Sequence, residues 1–156
     1  MLGESINNSF QRNSIELDLG ENQDSALCRV ATIDIGTNST HLLIAKLEPK
    51  LNTFSIELAE KSTTRLGERD PDNGELTSLA MNRAFSTLQR FKDLSESYKV
   101  ESLIIAATSA VREAPNGRAF LSEIKKKIGL DVELISGAEE ARLILSRCTF
   151  RDAIWK

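Results

Sequence analysis

Apolar residues fall into a regular pattern only from Val30 onward. The run Val30-Ala31-Thr32-Ile33-Asp34-Ile35 is rich in β-branched residues and predicts a buried strand, which the turn formers Gly36-Thr37-Asn38-Ser39 cut off. A second apolar strand over 40–47 follows so closely that the two read as an antiparallel hairpin, and residues 53–61 alternate as a third strand. After a loop over 66–74, Thr77 is placed to cap a helix. On it Met81, Ala84, Phe85, Leu88, Phe91, Leu94 and Tyr98 recur at three- and four-residue steps. Leu103-Ile104-Ile105-Ala106-Ala107 is a continuous apolar run, as expected of a strand buried on both faces. A second helix is predicted over 116–128, with Lys125, Lys126 and Lys127 in its last turn and Gly129 behind it. Val132-Glu133-Leu134-Ile135 is the fifth strand, and Ser136 opens a third helix.

The order is β-β-β-α-β-α-β-α. Three strands joined by tight turns precede strands joined by helical crossovers, which predicts an α/β half-domain with a mixed five-stranded sheet and helices. This is the order of an RNase H-like (actin-like ATPase) fold, and fold alone assigns no activity. Ahead of it, residues 1–28 are rich in Asn, Ser, Gln and acids, with apolar residues scattered singly. That composition predicts a disordered acidic extension.

Composition narrows the function classes. A chain of 156 residues, 40% hydrophobic and 28% charged, is of ordinary size for one globular domain, and no apolar run is long enough to span a membrane. Met1-Leu2-Gly3-Glu4-Ser5 has neither the basic nor the apolar region of a secretory signal, so a cytoplasmic location is expected. Two cysteines, Cys28 and Cys148, make neither a disulfide scaffold nor a zinc site, and one histidine, His41, argues against a histidine-built metal centre. The net charge of -3 sits wholly in residues 1–29, where five acids face two bases. That balance argues against bulk electrostatic binding of nucleic acid.

Chemistry concentrates in a few places. In the 36–39 turn, Gly36 permits close backbone approach, while Thr37, Asn38 and Ser39 add donors beside successive backbone N–H groups, the means by which a turn cradles phosphate oxygens. Asp34, at the end of a buried strand, is positioned to hold a divalent cation. An ordinary polar hairpin turn capped by an Asx side chain reads the same way from spacing alone. Ser136-x-x-Glu139 is a capping box, which occupies Glu139. Glu140 has no such local duty; it either complements the helix dipole or faces a cleft. Arg112 follows the fourth strand, where a guanidinium would hold phosphate oxygens bidentately or lie solvated on the surface; Arg65 is a weaker candidate of the same kind. Arg142 reads as a helix-surface charge, His41 as a packing residue, Lys125 to Lys127 as a solvated helix end, and the cysteines as non-nucleophilic. The aromatic residues lack the basic interleaving of a single-strand nucleic-acid platform.

Four segments, in order, carry a resemblance. They are Asp34-Ile35-Gly36-Thr37-Asn38-Ser39, Arg65-Leu66-Gly67, Ala107-Thr108-Ser109-Ala110-Val111-Arg112-Glu113-Ala114, and Ile135-Ser136-Gly137-Ala138-Glu139-Glu140-Ala141-Arg142-Leu143-Ile144. Together they resemble the N-terminal domain of the exopolyphosphatase and guanosine pentaphosphate phosphatase family, within the actin, heat-shock chaperone and sugar kinase superfamily. The resemblance implies hydrolysis of the terminal phosphoanhydride of inorganic polyphosphate or guanosine pentaphosphate, with Mg²⁺ as cofactor. It assigns Asp34 to the metal, Gly36, Thr37, Asn38, Ser39, Arg112 and Arg65 to the phosphates, and Glu140 to the attacking water as general base.

The resemblance covers residues 29–146, and residues 147–156 match nothing the family has there. Family members continue into a second glycine-rich phosphate motif and a second domain half, so this chain is expected to be inactive or weak alone. Association with itself or with a separate C-terminal half is expected. A non-catalytic fragment that binds phosphate chains or a partner is the rival reading. A sugar or acid kinase is disfavoured by the Glu-Glu-Ala-Arg segment.

Overall fold

The computed structural model describes residues 28–51 and 53–139. Strand β1 (Cys28–Ile35), strand β2 (Ser39–Glu48) and strand β3 (Thr53–Thr63) come first, with a single 3-10 turn at Pro49–Leu51. Helix α1 (Ser78–Ser97), strand β4 (Ser102–Ala107), a one-turn helix α2 (Ser109–Arg112), helix α3 (Gly117–Ile128) and strand β5 (Glu133–Leu134) follow. Residues 137–139 are helical. The five strands form one mixed sheet of order β3-β2-β1-β4-β5, in which the β1–β2 and β2–β3 pairs are antiparallel and the β1–β4 and β4–β5 pairs parallel. The expected element order and mixed sheet are present, and the chain is an α/β half-domain of the RNase H-like, actin-like kind.

Alternation decides which strand residues enter the core. Ala31, Ile33 and Ile35 of β1 are buried, while Thr32 and Asp34 between them are exposed. The buried set joins Leu42, Ile44, Ile105 and Ala107 in one cluster with Ala84, Leu88 and Phe91 of α1 and Phe120, Ile124 and Ile128 of α3. Phe85 and Phe120 meet edge to face at 5.3 Å between ring centroids, tying α1 to α3. The predicted apolar face of α1 is therefore its core face. Its cap forms as expected, with the Thr77 hydroxyl accepting from the Ala80 N–H at 3.2 Å.

Several boundaries and one burial expectation are corrected. Cys28 belongs to β1, paired with Leu47, rather than to the preceding extension. Strand β3 continues to Thr63 because its residues pair with β2 as far as Ser39, with one register shift at Glu57, opposite Ile44 and Ala45. A helical turn, α2, lies within the segment after β4. Asn116 stands just before α3, where its side chain makes no cap; instead it accepts from the Leu76 N–H at 2.9 Å and donates to the Leu76 carbonyl at 3.1 Å. Strand β4 is not buried on both faces: Ile104 is 41% exposed, because among the described residues the helices pack on one face of the sheet. The composition of residues 1–27 and of 147–156 bears on segments outside the described residues. No helix among those described is long and apolar enough to cross a membrane.

Candidate phosphate-binding edge

Parallel pairing of β1, β4 and β5 brings the ends of these strands, at Ile35, Ala107 and Leu134, to one edge of the sheet. Each strand is followed there by a sharp change of direction: the 36–38 turn, the Thr108-Ser109 start of α2, and the helical residues 137–139. The Thr108 N–H donates to the Ile35 carbonyl at 3.3 Å and the Ile135 N–H to the Ala107 carbonyl at 3.1 Å, so the three ends are stitched together by backbone.

The 36–38 turn is held by the loop that follows β3. The Thr64 and Arg65 N–H groups both donate to the Asn38 carbonyl, at 3.1 and 2.9 Å, and the Gly67 N–H donates to the Thr37 carbonyl at 2.8 Å. Beneath it, the buried hydroxyls of Thr40 and Thr64 are 3.2 Å apart. Gly67 packs closely on the turn: a Cβ there would lie 2.6 Å from Thr37 Cγ2, so the Thr37 side chain would have to shift. The Gly36 N–H donates back to the Ser39 carbonyl at 3.1 Å, and a Cβ on Gly36 would sit 3.0 Å from that same oxygen. The glycine expected to admit a ligand thus first admits its own turn's carbonyl. With the carbonyls of Thr37 and Asn38 taken up, the N–H groups of these two exposed residues make no hydrogen bond among the described residues. Thr37 Oγ1 lies 3.3 Å from Ser109 Oγ, which joins the turn to the start of α2.

Charged groups surround this edge. Arg65 adopts a left-handed backbone (φ 51°), and its largely exposed side chain lies 3.4 Å from Glu68. Glu68 also accepts from Arg83 Nη2 at 2.5 Å, while Arg83 Nε donates to the Thr64 carbonyl at 3.0 Å. The hydrogen bond from Arg83, with Arg65 adding to it, lowers the Glu68 carboxyl below its ordinary range. Arg112 is half-buried: Nη1 donates to the Ile135 carbonyl at 2.9 Å, and Nη2 lies 3.7 Å from Glu113. It therefore ties the end of β5 to α2. Arg69 reaches from the loop to donate to the Ala110 carbonyl of α2.

Asp34 points to the sheet face opposite α1 and α3. Cross-strand from it is His41, and the two line a shallow concavity of about 480 Å³ with Thr32, Leu43 and Lys61. Among the described residues no three His, Cys, Asp or Glu side chains cluster as a metal site. The capping bond at the last helix is present, Ser136 Oγ accepting from the Glu139 N–H at 3.1 Å. Burial, with Glu101 adding to it, raises the Cys28 thiol, in keeping with a non-nucleophilic role.

The fold thus brings Gly36, Thr37, Asn38, Ser39, Arg65 and Arg112 to one edge, with Asp34 at the base of the turn. Glu140, Arg142 and Cys148 lie outside the described residues. Sequence reading did not single out the roles of Arg83, Arg69 and Asn116, since each acts on backbone distant in sequence. The one available signal was for Gly67, a glycine in a loop of turn formers.

Comparison with known proteins agrees with the four-motif resemblance. The sequence profile of the Ppx/GppA phosphatase family matches residues 43–150, beginning after the 34–39 motif. The protein called exopolyphosphatase 1 of Mycobacterium tuberculosis is 30% identical over 115 residues, which is 74% of this chain and 33% of that protein. Its counterpart in Mycobacterium leprae is 31% identical over the same length, 34% of that protein. The chain spans about a third of the length of these relatives. Among solved structures, a Ppx/GppA family member from Aquifex aeolicus superposes with a TM-score of 0.70 at 35% identity, over 75% of this chain and 38% of that one. An exopolyphosphatase from Cytophaga hutchinsonii does so with a TM-score of 0.69 at 38% identity, over 74% and 36%.

Proposed function

The chain belongs to the Ppx/GppA phosphatase family, and on that premise we propose that its sheet edge binds the terminal phosphates of a phosphoanhydride chain, inorganic polyphosphate or guanosine pentaphosphate, for hydrolysis. The observation that carries the reading is the division of labour in the 36–38 turn. Its carbonyls are taken up by the Thr64-to-Gly67 loop, while the N–H groups of Thr37 and Asn38 have no partner among the described residues. Two adjacent N–H groups without internal acceptors suit phosphate oxygens. The Ser109 hydroxyl beside Thr37 and the guanidinium groups of Arg65 and Arg112 add donors and positive charge on the same edge.

In this reading Glu140 accepts a proton from the water that attacks the terminal phosphorus, and the P–O bond to the rest of the chain breaks as orthophosphate leaves. Capping by Ser136 fixes the helical residues 137–139, which directly precede Glu140 in the sequence. Asp34 is the carboxylate that would hold Mg²⁺, directly or through water, in a mode that relies on substrate phosphate oxygens rather than on a cage of side chains. When bound, the ion would neutralise charge on the phosphates. The Arg112 bond to the Ile135 carbonyl holds its guanidinium at this edge, where its charge would meet phosphate.

Phosphate release tests this directly. The purified chain is incubated with long-chain polyphosphate and Mg²⁺, with guanosine pentaphosphate in parallel and ATP plus a sugar as the kinase control. Release that depends on Glu140 supports hydrolysis. Binding without release assigns the chain the non-catalytic role, and phosphoryl transfer to the sugar overturns the reading.

A further inference from the structure

Strands β2 and β3 part company at the phosphate turn in a one-sided way. Ser39 pairs with Thr63, and one step further in the same register Asn38 stands opposite Thr64. In an antiparallel ladder alternate pairs exchange two hydrogen bonds, and a pair already joined by one is of that kind. Only one of the two is made here: the Thr64 N–H donates to the Asn38 carbonyl at 3.1 Å, whereas the Asn38 N–H makes no bond to the Thr64 carbonyl. That carbonyl accepts instead from Arg83 Nε of α1, at 3.0 Å. Thr64 is wholly buried, so its carbonyl needs a partner, and among the described residues Arg83 is the partner it has. Arg83 is itself anchored. Its Nη2 donates to Glu68 at 2.5 Å, and the Glu68 N–H donates to the Arg65 carbonyl at 3.0 Å, so the arginine spans the bend from Thr64 to Glu68. Within that bend Arg65 has φ 51°, and its N–H lands on the same Asn38 carbonyl at 2.9 Å. The next two contacts along α1 differ in kind, since Thr87 meets the Ser62 hydroxyl and Arg90 meets the Glu60 carboxylate, side chain to side chain. Of the three, Arg83 is the one that reaches backbone.

We propose that Arg83 is a positioning residue for the phosphate turn: by holding the Thr64 carbonyl on α1, it keeps the β2–β3 ladder from closing on Asn38 and leaves the Asn38 N–H for a phosphate oxygen. This role rests on the reading of the edge as a phosphate site, and Arg83 acts in it through backbone rather than by touching phosphate. A carbonyl has two lone pairs, so Arg83 does not crowd out the Asn38 N–H; it gives the departing carbonyl an acceptor's place elsewhere. Without Arg83, the in-register donor left to the buried Thr64 carbonyl is the Asn38 N–H. The ladder would then extend by one bond, and the turn would lose one of its two adjacent donors.

Amide hydrogen exchange of the whole chain, without ligand, reads the effect. In the parent the Asn38 amide should exchange freely. In Arg83→Met, which keeps most of the side chain's length without its donors, that amide should slow by about tenfold or more as it takes up the Thr64 carbonyl. Arg83→Gln restores an amide donor where Nε stands, and should restore free exchange. Long-chain polyphosphate, followed by calorimetry, should bind Arg83→Met about tenfold more weakly than the parent and Arg83→Gln nearly as well as the parent. Arg90→Gln should change neither quantity. A purely structural role would loosen the turn, so Asn38 exchange that is unchanged or faster in Arg83→Met overturns the proposal. So does equal polyphosphate affinity in the parent and Arg83→Met, or a protected Asn38 amide in the parent, a result that needs no variant to fold. A parent that binds no polyphosphate overturns the phosphate reading of the edge, while the ligand-free exchange still decides whether Arg83 holds the turn open.

Discussion

At the edge where β1, β4 and β5 finish, the turn itself is fixed by backbone and small residues: Thr37 meets both Gly67 and Ser109, and the Gly36 N–H bonds the Ser39 carbonyl. At the opposite end, where β1 starts beside Leu47 and Phe54, side chains do this work. Arg29 reaches Glu57 at 2.6 Å, and large apolar groups stand exposed. The first end is tight at Gly67, where an added methyl group would displace the Thr37 side chain, yet keeps two N–H groups without acceptors among the described residues. The second has room to spare and offers surface rather than donors. Substitutions at the first end should therefore change ligand binding, and those at the second should leave it unchanged.

The largest expected effect is on chemistry at the first end. Glu140→Gln keeps shape but removes the proton acceptor, so in a full-length context, with the second domain half present, kcat for phosphate release should fall by about two to four orders of magnitude with KM little changed. Glu139→Gln should be mild, because glutamine also serves in a capping box. Steady-state kinetics on both variants decides it, and a Glu140→Gln enzyme within threefold of the parent would contradict the assignment.

Next in size is Gly67→Ala. Its Cβ would meet Thr37 Cγ2 at 2.6 Å, so the Thr37 side chain must shift from its place beside Ser109. We expect a cost of about 1–3 kcal/mol in stability and a loss of polyphosphate affinity of about tenfold, as for a displaced donor pair worth roughly 1.4 kcal/mol. Calorimetry and thermal melts would show both. Phe54→Ala, at the opposite end, should leave that affinity unchanged, and an equal loss from the two variants would dissolve the contrast between the ends.

Smaller effects come from acid. Glu68 and Glu57 are each lowered from an ordinary value of 4.5, chiefly by hydrogen bonds from Arg83 and Arg29 respectively. A lowered carboxyl binds fewer protons in the folded state. Its contribution is thus full above pH 4.5 and lost as pH falls through the folded value. Melting temperature should drop below that pH, and Glu68→Gln or Glu57→Gln should flatten the drop slightly, since exposed pairs contribute little. Smallest of all, removing residues 1–27 should leave the melting temperature unchanged, because their composition offers little apolar area to bury.

Much of this was legible in the sequence where the governing contacts are local. Alternation fixed the hairpin, three- and four-residue spacing fixed the core face of α1, and Thr77 and Ser136 marked helix starts that cap as their spacing implies. Nonlocal contacts left weaker traces. Nothing near Asn116 announces that its amide clamps Leu76 forty residues earlier, and the need for glycine at 67 appears only once Thr37 is placed against it. The apolar run of β4 specified a strand but not how many of its faces are covered, which depends on where helices pack; hence the exposed Ile104. The candidate phosphate ligands were found by residue type and motif order. Their convergence depends on parallel pairing of β1, β4 and β5, a property of the fold rather than of any one segment.

The most direct test of the central claim is a titration of the ¹⁵N-labelled chain with polyphosphate, followed residue by residue through its amide resonances at low and high salt. The account predicts that Thr37, Asn38, Gly67, Ser109 and Arg112 shift first and together, that Phe54 and Ile56 do not, and that the effect weakens as salt rises. Shifts centred on Lys125, Lys126 and Lys127, or none at Thr37 and Asn38 under saturating polyphosphate, would contradict it.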